Sequence, residues 1–244
     1  MTSHTLSVRL LGRFALLDGP AAVAMPPGTK RVLGLLAVRG GAMGRSQAAG
    51  MLWPDVTEAR ARACLRSALI RLPPAARRVV RVTPTELALA GSVPVDLHVG
   101  QELARRLLDP AALPAEADLG GVAMAVLAAE LLPDWHDDWV VAATEAWRQL
   151  RLHALEALAV HLAAARRYGQ AAEAALAAVA VEPLRESAHR ALIGVHLAEG
   201  NRSEALRQYN QYRRLLAAEL GVEPTAALHQ LLATPGTQGA VTPW

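Results

Sequence analysis

The second half of the chain carries the strongest structural signal, an almost continuous helical pattern. From Trp139 onward, apolar residues recur every three or four positions. The pattern is broken at Arg167-Tyr168-Gly169, Glu182-Pro183-Leu184, Glu199-Gly200-Asn201 and Gly221-Val222-Glu223-Pro224, which contain residues that end helices. A series of helices joined by such short breaks buries its apolar faces by packing helix on helix.

Part of this helical region repeats at an offset of 34 residues. Ala157-Leu158 matches Ala191-Leu192, and Ala171 matches Ala205. Thirty-four residues is the period of tetratricopeptide helix pairs, in which small residues let the two helices approach closely. The sequence therefore predicts an all-α tetratricopeptide-like domain, and a plain alanine-rich helical bundle is the alternative.

The composition supports packed helices and limits the other classes. Hydrophobic residues make up 52% of the chain and aromatic residues only 4%, so the core must consist mostly of Ala, Leu and Val. No apolar run reaches the ~18 residues that span a bilayer, the N-terminus lacks a signal-peptide pattern, and Cys64 is the single cysteine. We therefore expect a cytoplasmic protein with no internal disulfide and no membrane partner.

The charges are divided unequally along the chain. Residues 1–95 contain 13 Lys and Arg against 4 Asp and Glu, a net charge of +9, whereas residues 96–244 carry −6. A basic segment of this strength indicates contact with a polyanion, and the acidic segment indicates a different task. We therefore predict one domain at residues 1–95, a second at residues 96–234, and a flexible tail at residues 235–244.

Residues 52–72 contain the helix expected to contact the polyanion. Thr57 is suited to cap this helix, and one apolar stripe follows, formed by Ala61, Cys64, Leu65, Ala68, Leu69 and Leu72. The other side carries Arg60, Arg62, Arg66, Ser67 and Arg71, with small residues between them. Small residues permit close approach, and a guanidinium group bonds guanine edges or phosphates. We interpret it as a DNA recognition helix; the alternative is an amphipathic helix with a solvated basic face.

The elements around this helix follow the order of a winged helix. The predicted elements are short strands at residues 6–10, 14–16 and 23–25, a helix at residues 29–38, a short helix capped by Ser46, the recognition helix, and a hairpin at residues 79–82 and 86–90. Pro73-Pro74 ends the recognition helix. This order predicts a winged helix-turn-helix in which the hairpin is the wing. The expected fold class is therefore mainly α with a small β component.

Further basic residues are candidates for phosphate contacts. Arg77, Arg78 and Arg81 are expected at the base of the wing or on its strands. The predicted DNA-binding residues are Arg60, Arg62, Arg66, Ser67, Arg71, Arg45, Ser46, Arg78 and Arg81, and Lys30 and Arg31 are further phosphate candidates. Phosphate contacts position a protein on the duplex, so only the helix face is expected to read bases.

No set of residues in the sequence indicates catalysis or metal binding. The acidic loop at residues 134–138 contains one histidine, but no second His or Cys stands at ligand spacing nearby. We expect this loop to be polar, with Trp135 and Trp139 packed inward. No cofactor, no metal and no enzymatic activity are predicted.

Two stretches of the chain resemble known families. Residues 131–232 resemble the bacterial transcriptional activator domain, most clearly in Glu182-Pro183-Leu184-Arg185-Glu186, Glu204-Ala205-Leu206-Arg207-Gln208-Tyr209 and Glu219-Leu220-Gly221-Val222-Glu223-Pro224. The upstream segment resembles an OmpR-type winged helix through Leu52-Trp53-Pro54-Asp55, the arginine-bearing helix and the hairpin. Together they resemble the SARP family, the Streptomyces antibiotic regulatory proteins, in their short two-domain form.

The resemblance implies a transcriptional activator. Such a protein binds direct repeats in double-stranded DNA upstream of a promoter and contacts RNA polymerase, including its sigma factor. A homodimer or a side-by-side pair on DNA is a further expectation. The alternative is a protein-interaction adaptor whose tetratricopeptide-like half binds a peptide while the winged helix has degenerated. Pro73-Pro74 keeps this alternative open, because relatives continue the recognition helix with arginines at that point.

Overall fold

The computed structural model describes residues 5–233, which are mainly helical with two small antiparallel sheets. The described residues form two compact units, residues 5–102 with 129–148, and residues 103–128 with 149–233. The predicted fold class is confirmed: a winged helix-turn-helix is followed along the chain by helices of tetratricopeptide type. The domain boundary at residues 95 and 96 stays a prediction, and the predicted tail at residues 235–244 lies outside the described residues.

The chain begins with a three-stranded antiparallel sheet in the order β1-β2-β3. Its strands are β1 (Leu6–Arg9), β2 (Ala15–Asp18) and β3 (Ala21–Ala22). The first two strands confirm the prediction, but the third at residues 23–25 is wrong by two residues. Gly19 has a φ of +59°, and this tight turn returns the chain early enough for Ala21 to pair with Asp18.

Four helices and a second sheet complete the winged helix. The helices are α1 (Pro27–Arg39), α2 (Arg45–Leu52), α3 (Glu58–Ile70) and α4 (Pro74–Val79). The strands are β4 (Met43–Gly44), β5 (Val80–Val82) and β6 (Glu86–Leu89), in the order β4-β6-β5. Gly40, in the left-handed conformation, ends α1 as expected.

One prediction in this region is wrong, and another is made more exact by the structure. Ser46 does not cap α2, because β4 pairs with β6 and the helix begins immediately afterwards at Arg45, with Gly44 as its N-cap. Arg77 and Arg78, expected at the base of the wing or on its strands, lie on α4, the helix that leads directly into β5. Pro73-Pro74 does end α3, but a proline at the first position of a helix is favourable, so a new helix starts at Pro74.

The remaining helices follow the predicted breaks. They are α5 (Asp96–Leu107), a 3-10 helix (Glu116–Leu119), α6 (Gly121–Ala128), α7 (Asp138–Ala164), α8 (Tyr168–Val181), α9 (Glu186–Glu199), α10 (Arg202–Leu220) and α11 (Ala226–Ala233). The apolar residues at 117–131 predict a single helix there, and this prediction is wrong. Gly120-Gly121 divides it, and Leu131 leaves the helix to form a β-bridge with Leu11.

Asp96 joins the start of α5 to the first sheet. Its carboxylate accepts hydrogen bonds from the backbone amides of Leu97 (2.8 Å), Leu10 (2.7 Å) and Leu11 (3.1 Å). Asp96, which the sequence suggests as the N-cap of a helix from residue 97, is instead the first residue of α5, and its carboxylate makes two long-range bonds in addition. Burial raises the pKa of Asp96, whereas these three amides and the charge of Arg9 act in the opposite direction.

Residues 129–148 belong to the first unit and pack against α1. Leu132 donates its amide hydrogen to the carbonyl of Leu10 at 3.0 Å. The ring of Trp135 lies 5.4 Å from that of Phe14 and 5.8 Å from that of Trp139, measured between ring centroids. Trp139 is buried and Trp135 is half-buried, which confirms the expected inward packing. A β-carbon placed on Gly34 would lie 2.7 Å from the Trp135 ring.

We predict that Gly34→Ala lowers the thermal unfolding midpoint of the chain. Overpacking of this kind costs about 1–3 kcal/mol, and the helix preference of alanine returns at most about 1 kcal/mol. Gly50→Ala is the matched control, because Gly50 is also helical and no atom lies within 4 Å of its added β-carbon. Calorimetry should show a lower midpoint for Gly34→Ala and a higher one for Gly50→Ala. An increase for both would contradict the packing of Trp135 on α1.

In the second unit, a buried histidine lies between α9 and α10. His189 has both ring nitrogens in hydrogen bonds, Nε2 with the carbonyl oxygen of Pro183 and Nδ1 with the side-chain amide of Gln208, each at 2.8 Å. Its ring stacks on Tyr212 at a centroid distance of 4.1 Å. Burial lowers the pKa of His189, although Pro183 and Glu186 favour the charged form. The neutral ring therefore fits this position best.

This burial predicts a loss of stability at acidic pH. Because the pKa of His189 is below its usual 6.5 in the folded state, the unfolded chain binds this proton first as the pH falls. The contribution is complete above about pH 6.5 and declines below it, by at most about 1.4 kcal/mol per pH unit. Denaturant unfolding between pH 7.5 and 5.5 should show a smaller decline for His189→Gln, and the wild-type decline for a His136→Gln control at an exposed position. An equal decline in all three proteins would contradict the assignment.

Candidate nucleic-acid interface

The recognition helix candidate, α3, has one buried face and one exposed face. Ala61, Leu65 and Ala68 are buried, and so is Leu72 just beyond the helix end. The hydroxyl of Thr57 accepts a hydrogen bond from the amide of Arg60 at 3.4 Å, which confirms the predicted N-cap. The sequence therefore places the helix and its apolar stripe correctly.

Two residues of α1 hold α3 and the connection before it. The buried hydroxyl of Thr29 donates to the carbonyl of Ala68 on α3 at 3.1 Å. Arg31 donates to the carbonyl of Leu52, and its guanidinium group lies 5.8 Å from the Trp53 ring centroid. The sequence pattern gave no indication of the role of Thr29, because its partner is 39 residues away.

Arg31 is also paired with a carboxylate, so it is not a free phosphate contact. Its guanidinium group forms an ion pair with Asp137, in residues 129–148 of the same unit. The guanidinium group of Arg31 is therefore already bound within the protein, which does not fit the expected phosphate contact. Arg31 instead fixes the connection between α2 and α3.

The predicted residues of α3 all lie on its exposed side. These are Arg60, Arg62, Arg66 and Ser67, with Arg71 directly after the helix. Arg62 forms an ion pair with Glu58 one turn earlier. Among residues 5–233, the guanidinium groups of Arg60, Arg66 and Arg71 have no hydrogen-bond or ion-pair partner. These three groups are therefore free to bind an anion.

Arg45 and Ser46 lie at the start of α2 and differ in exposure. Arg45 is half-buried: its amide donates to the carbonyl of Thr85 at 2.9 Å, and its guanidinium group donates to that of Thr83 at 3.2 Å. It therefore supports the turn between β5 and β6. Ser46 is exposed on the first turn of α2.

The basic residues after α3 occupy a helix and a strand. Arg77 donates to the carbonyl of Ile70 at 2.9 Å and so closes the end of α3, a contact that was not predicted. Arg78 is exposed on α4, and Arg81 is exposed in the middle of β5. The exposed basic residues thus lie along one helix and a neighbouring hairpin, an arrangement with the charge to bind an anion.

Candidate metal sites and candidate membrane-spanning helices are both absent from the described part of the chain. No group of three or more His, Cys, Asp or Glu residues within residues 5–233 is arranged to hold a metal ion. No helix in that range is both long and apolar enough to cross a membrane.

Comparison with known proteins identifies relatives of the chain. The family model of the bacterial transcriptional activator domain matches residues 95–234, which is more than half of the chain. Comparison with curated proteins gave no match. Among solved structures, the chain is similar to that of Mycobacterium tuberculosis EmbR in complex with low affinity phosphopeptide, with a TM-score of 0.71 and 22% sequence identity. This similarity covers 94% of the present chain and 64% of the EmbR chain, and at such identity it shows a shared fold.

Proposed function

Because the chain belongs to the family of the bacterial transcriptional activator domain, we propose that it activates transcription by binding promoter DNA through an OmpR-type winged helix. Members of this family are transcription regulators and not enzymes. The observation that carries the proposal is the exposed face of α3, where arginines, Arg60 and Arg66 without a partner among residues 5–233, lie between small residues in a segment of net charge +9. Such a face fits the major groove, whose base edges accept hydrogen bonds from guanidinium groups.

The proposed contacts divide into base readers and phosphate contacts. Arg60, Arg62, Arg66 and Ser67 on α3 approach base edges. Phosphates are bound by Arg45, Ser46, Arg71, Arg78 and Arg81, which lie at the start of α2, after α3, on α4 and on β5. Arg45 keeps its hydrogen bonds to the hairpin turn in this arrangement. It therefore holds the wing beside the DNA and adds its own positive charge there.

The length of α3 supports a reading role. The helix contains 13 residues, which corresponds to about 20 Å at the usual rise per residue. The major groove is about 12 Å wide, so the end of α3 before Pro73-Pro74 leaves enough helix to cross it. The early end of α3 is therefore a weaker reason to regard the winged helix as degenerate. The alternative function, a protein-interaction adaptor, is tested by selection from a random DNA pool.

The proposed partners follow from the two differently charged segments. The winged helix, proposed as a domain at residues 1–95, binds direct repeats as a side-by-side pair or a homodimer. The tetratricopeptide-like domain, proposed at residues 96–234 in an acidic segment of net charge −6, contacts RNA polymerase and its sigma factor. This function places the protein in the cytoplasm, with no cofactor.

We predict that the full chain selects a discrete repeated sequence from a random DNA pool. The four arginines assigned to phosphates imply that, for each bound protomer, the plot of log binding constant against log salt concentration has a slope of about −4. Gel shifts on the selected fragment at several salt concentrations measure this slope. An adaptor would enrich no sequence, and that result would reject DNA recognition as the function.

We further predict that Arg66→Ala weakens specific binding by about 1–3 kcal/mol and relaxes the preference at one base pair. Arg62→Ala should weaken it less, because Arg62 must first leave Glu58, an exposed pair of the kind worth about 0.3–0.5 kcal/mol. Arg213→Ala, an exposed arginine on α10, is the matched control. Equal binding by Arg66→Ala and the control would remove Arg66 from the reading face.

A further inference from the structure

A large apolar side chain lies on the middle line of the exposed face of α3, at the C-terminal end of the helix. Ile70 is 73% exposed, although it is the last residue of a helix whose other long aliphatic side chains are buried or half-buried. Successive residues of a helix turn by about 100°. At that angle, Ile70 points away from the middle of the stripe formed by Ala61, Leu65 and Ala68. Ala59 and Ala63 share its direction.

Ile70 is held in this position. Arg77 donates to the Ile70 carbonyl at 2.9 Å, so the last turn of α3 is closed by a hydrogen bond and does not end in unsatisfied carbonyls. The β-branched side chain also has few rotamers in a helix. The isoleucine therefore presents a rigid apolar surface to solvent and not a mobile one.

The surroundings of Ile70 determine what can contact it. Arg66 and Ser67 lie one turn earlier, and Arg71 follows; all three are exposed, and neither arginine has a partner among residues 5–233. An apolar protein surface would have to desolvate these two guanidinium groups at a cost. A DNA major groove offers phosphates and base edges to the arginines and one apolar group to the isoleucine, the C5-methyl group of thymine.

We propose that Ile70 is a specificity-determining residue that recognises thymine by packing on its C5-methyl group in the major groove. This rests on the proposed function of DNA binding and adds a base preference to it. The centre of the α3 face, formed by Ala59, Ala63 and Ile70, has no side-chain donor or acceptor. It therefore selects the base that presents a methyl group, while Arg66 at its side selects by hydrogen bonding.

The test combines a protein change with removal of the methyl group from DNA. Each thymine of the sequence selected by the full chain is replaced singly by deoxyuridine, which lacks only that group. Dissociation constants are measured by fluorescence anisotropy for the wild type and Ile70→Ala. At one thymine the wild type should lose about fourfold in affinity, as expected for one methyl group no longer taken out of water, and Ile70→Ala should lose none there.

Two further variants make the result specific. Ile70→Val keeps two methyl groups and should retain most of the dependence on the thymine methyl. Leu176→Ala removes an apolar side chain of 52% exposure on α8 and should behave as the wild type at every position. Because both positions are exposed, thermal unfolding of each variant should match the wild type.

The outcomes separate this inference from the function on which it rests. If the wild type and Ile70→Ala lose equal affinity at every deoxyuridine, the thymine contact is overturned while DNA recognition stands. If Ile70→Ala binds all fragments as tightly as the wild type, Ile70 makes no contact with DNA, and the inference is overturned as well. If the random pool yields no discrete sequence, the proposed function fails, and the inference fails with it.

Discussion

The ring of Trp135 lies directly against α1 at Gly34, in space that any side chain on that residue would fill. This contact packs residues 129–148 on α1, the helix that connects them to the candidate interface. The same helix bonds α3 at Ala68 through Thr29 and holds the connection before α3 through Arg31. Part of the region matched by the activator-domain model thus packs on the helix that supports α3.

Magnitudes indicate which of these contacts secures the attachment. The Arg31–Asp137 pair is partly solvated, with side-chain exposures of 30% and 20%, and pairs near the surface contribute about 0–1 kcal/mol. Burial of a large aromatic side chain among Phe14, Trp139 and the α1 backbone contributes more, about 2–3 kcal/mol. The aromatic packing therefore provides most of the free energy that attaches residues 129–148 to α1. The ion pair orients the guanidinium group of Arg31 towards Leu52.

Features that depend on neighbouring residues were predictable from the sequence. Thr57, the apolar stripe after it and the breaks at Gly200 and Gly221 predicted α3, α9 and α10, because capping and helical periodicity are local properties. Features that depend on distant partners were not. The start of α2 is set by pairing of β4 with β6, more than 40 residues later. Arg31 has its carboxylate partner 106 residues away, so its charge alone suggested a phosphate contact.

At the candidate site, charged and apolar side chains would make different contributions to DNA binding. Arginines on α3 attract any duplex, and this attraction weakens with salt whatever the base sequence. An apolar centre adds little attraction, but a methyl group is present on thymine and absent from the other three bases. On the proposed function, α3 therefore separates affinity, which its charged edges supply, from discrimination, to which Ile70 contributes beside Arg66. A residue of this kind is exposed and carries no charge, so a search for basic residues in the sequence passes over it.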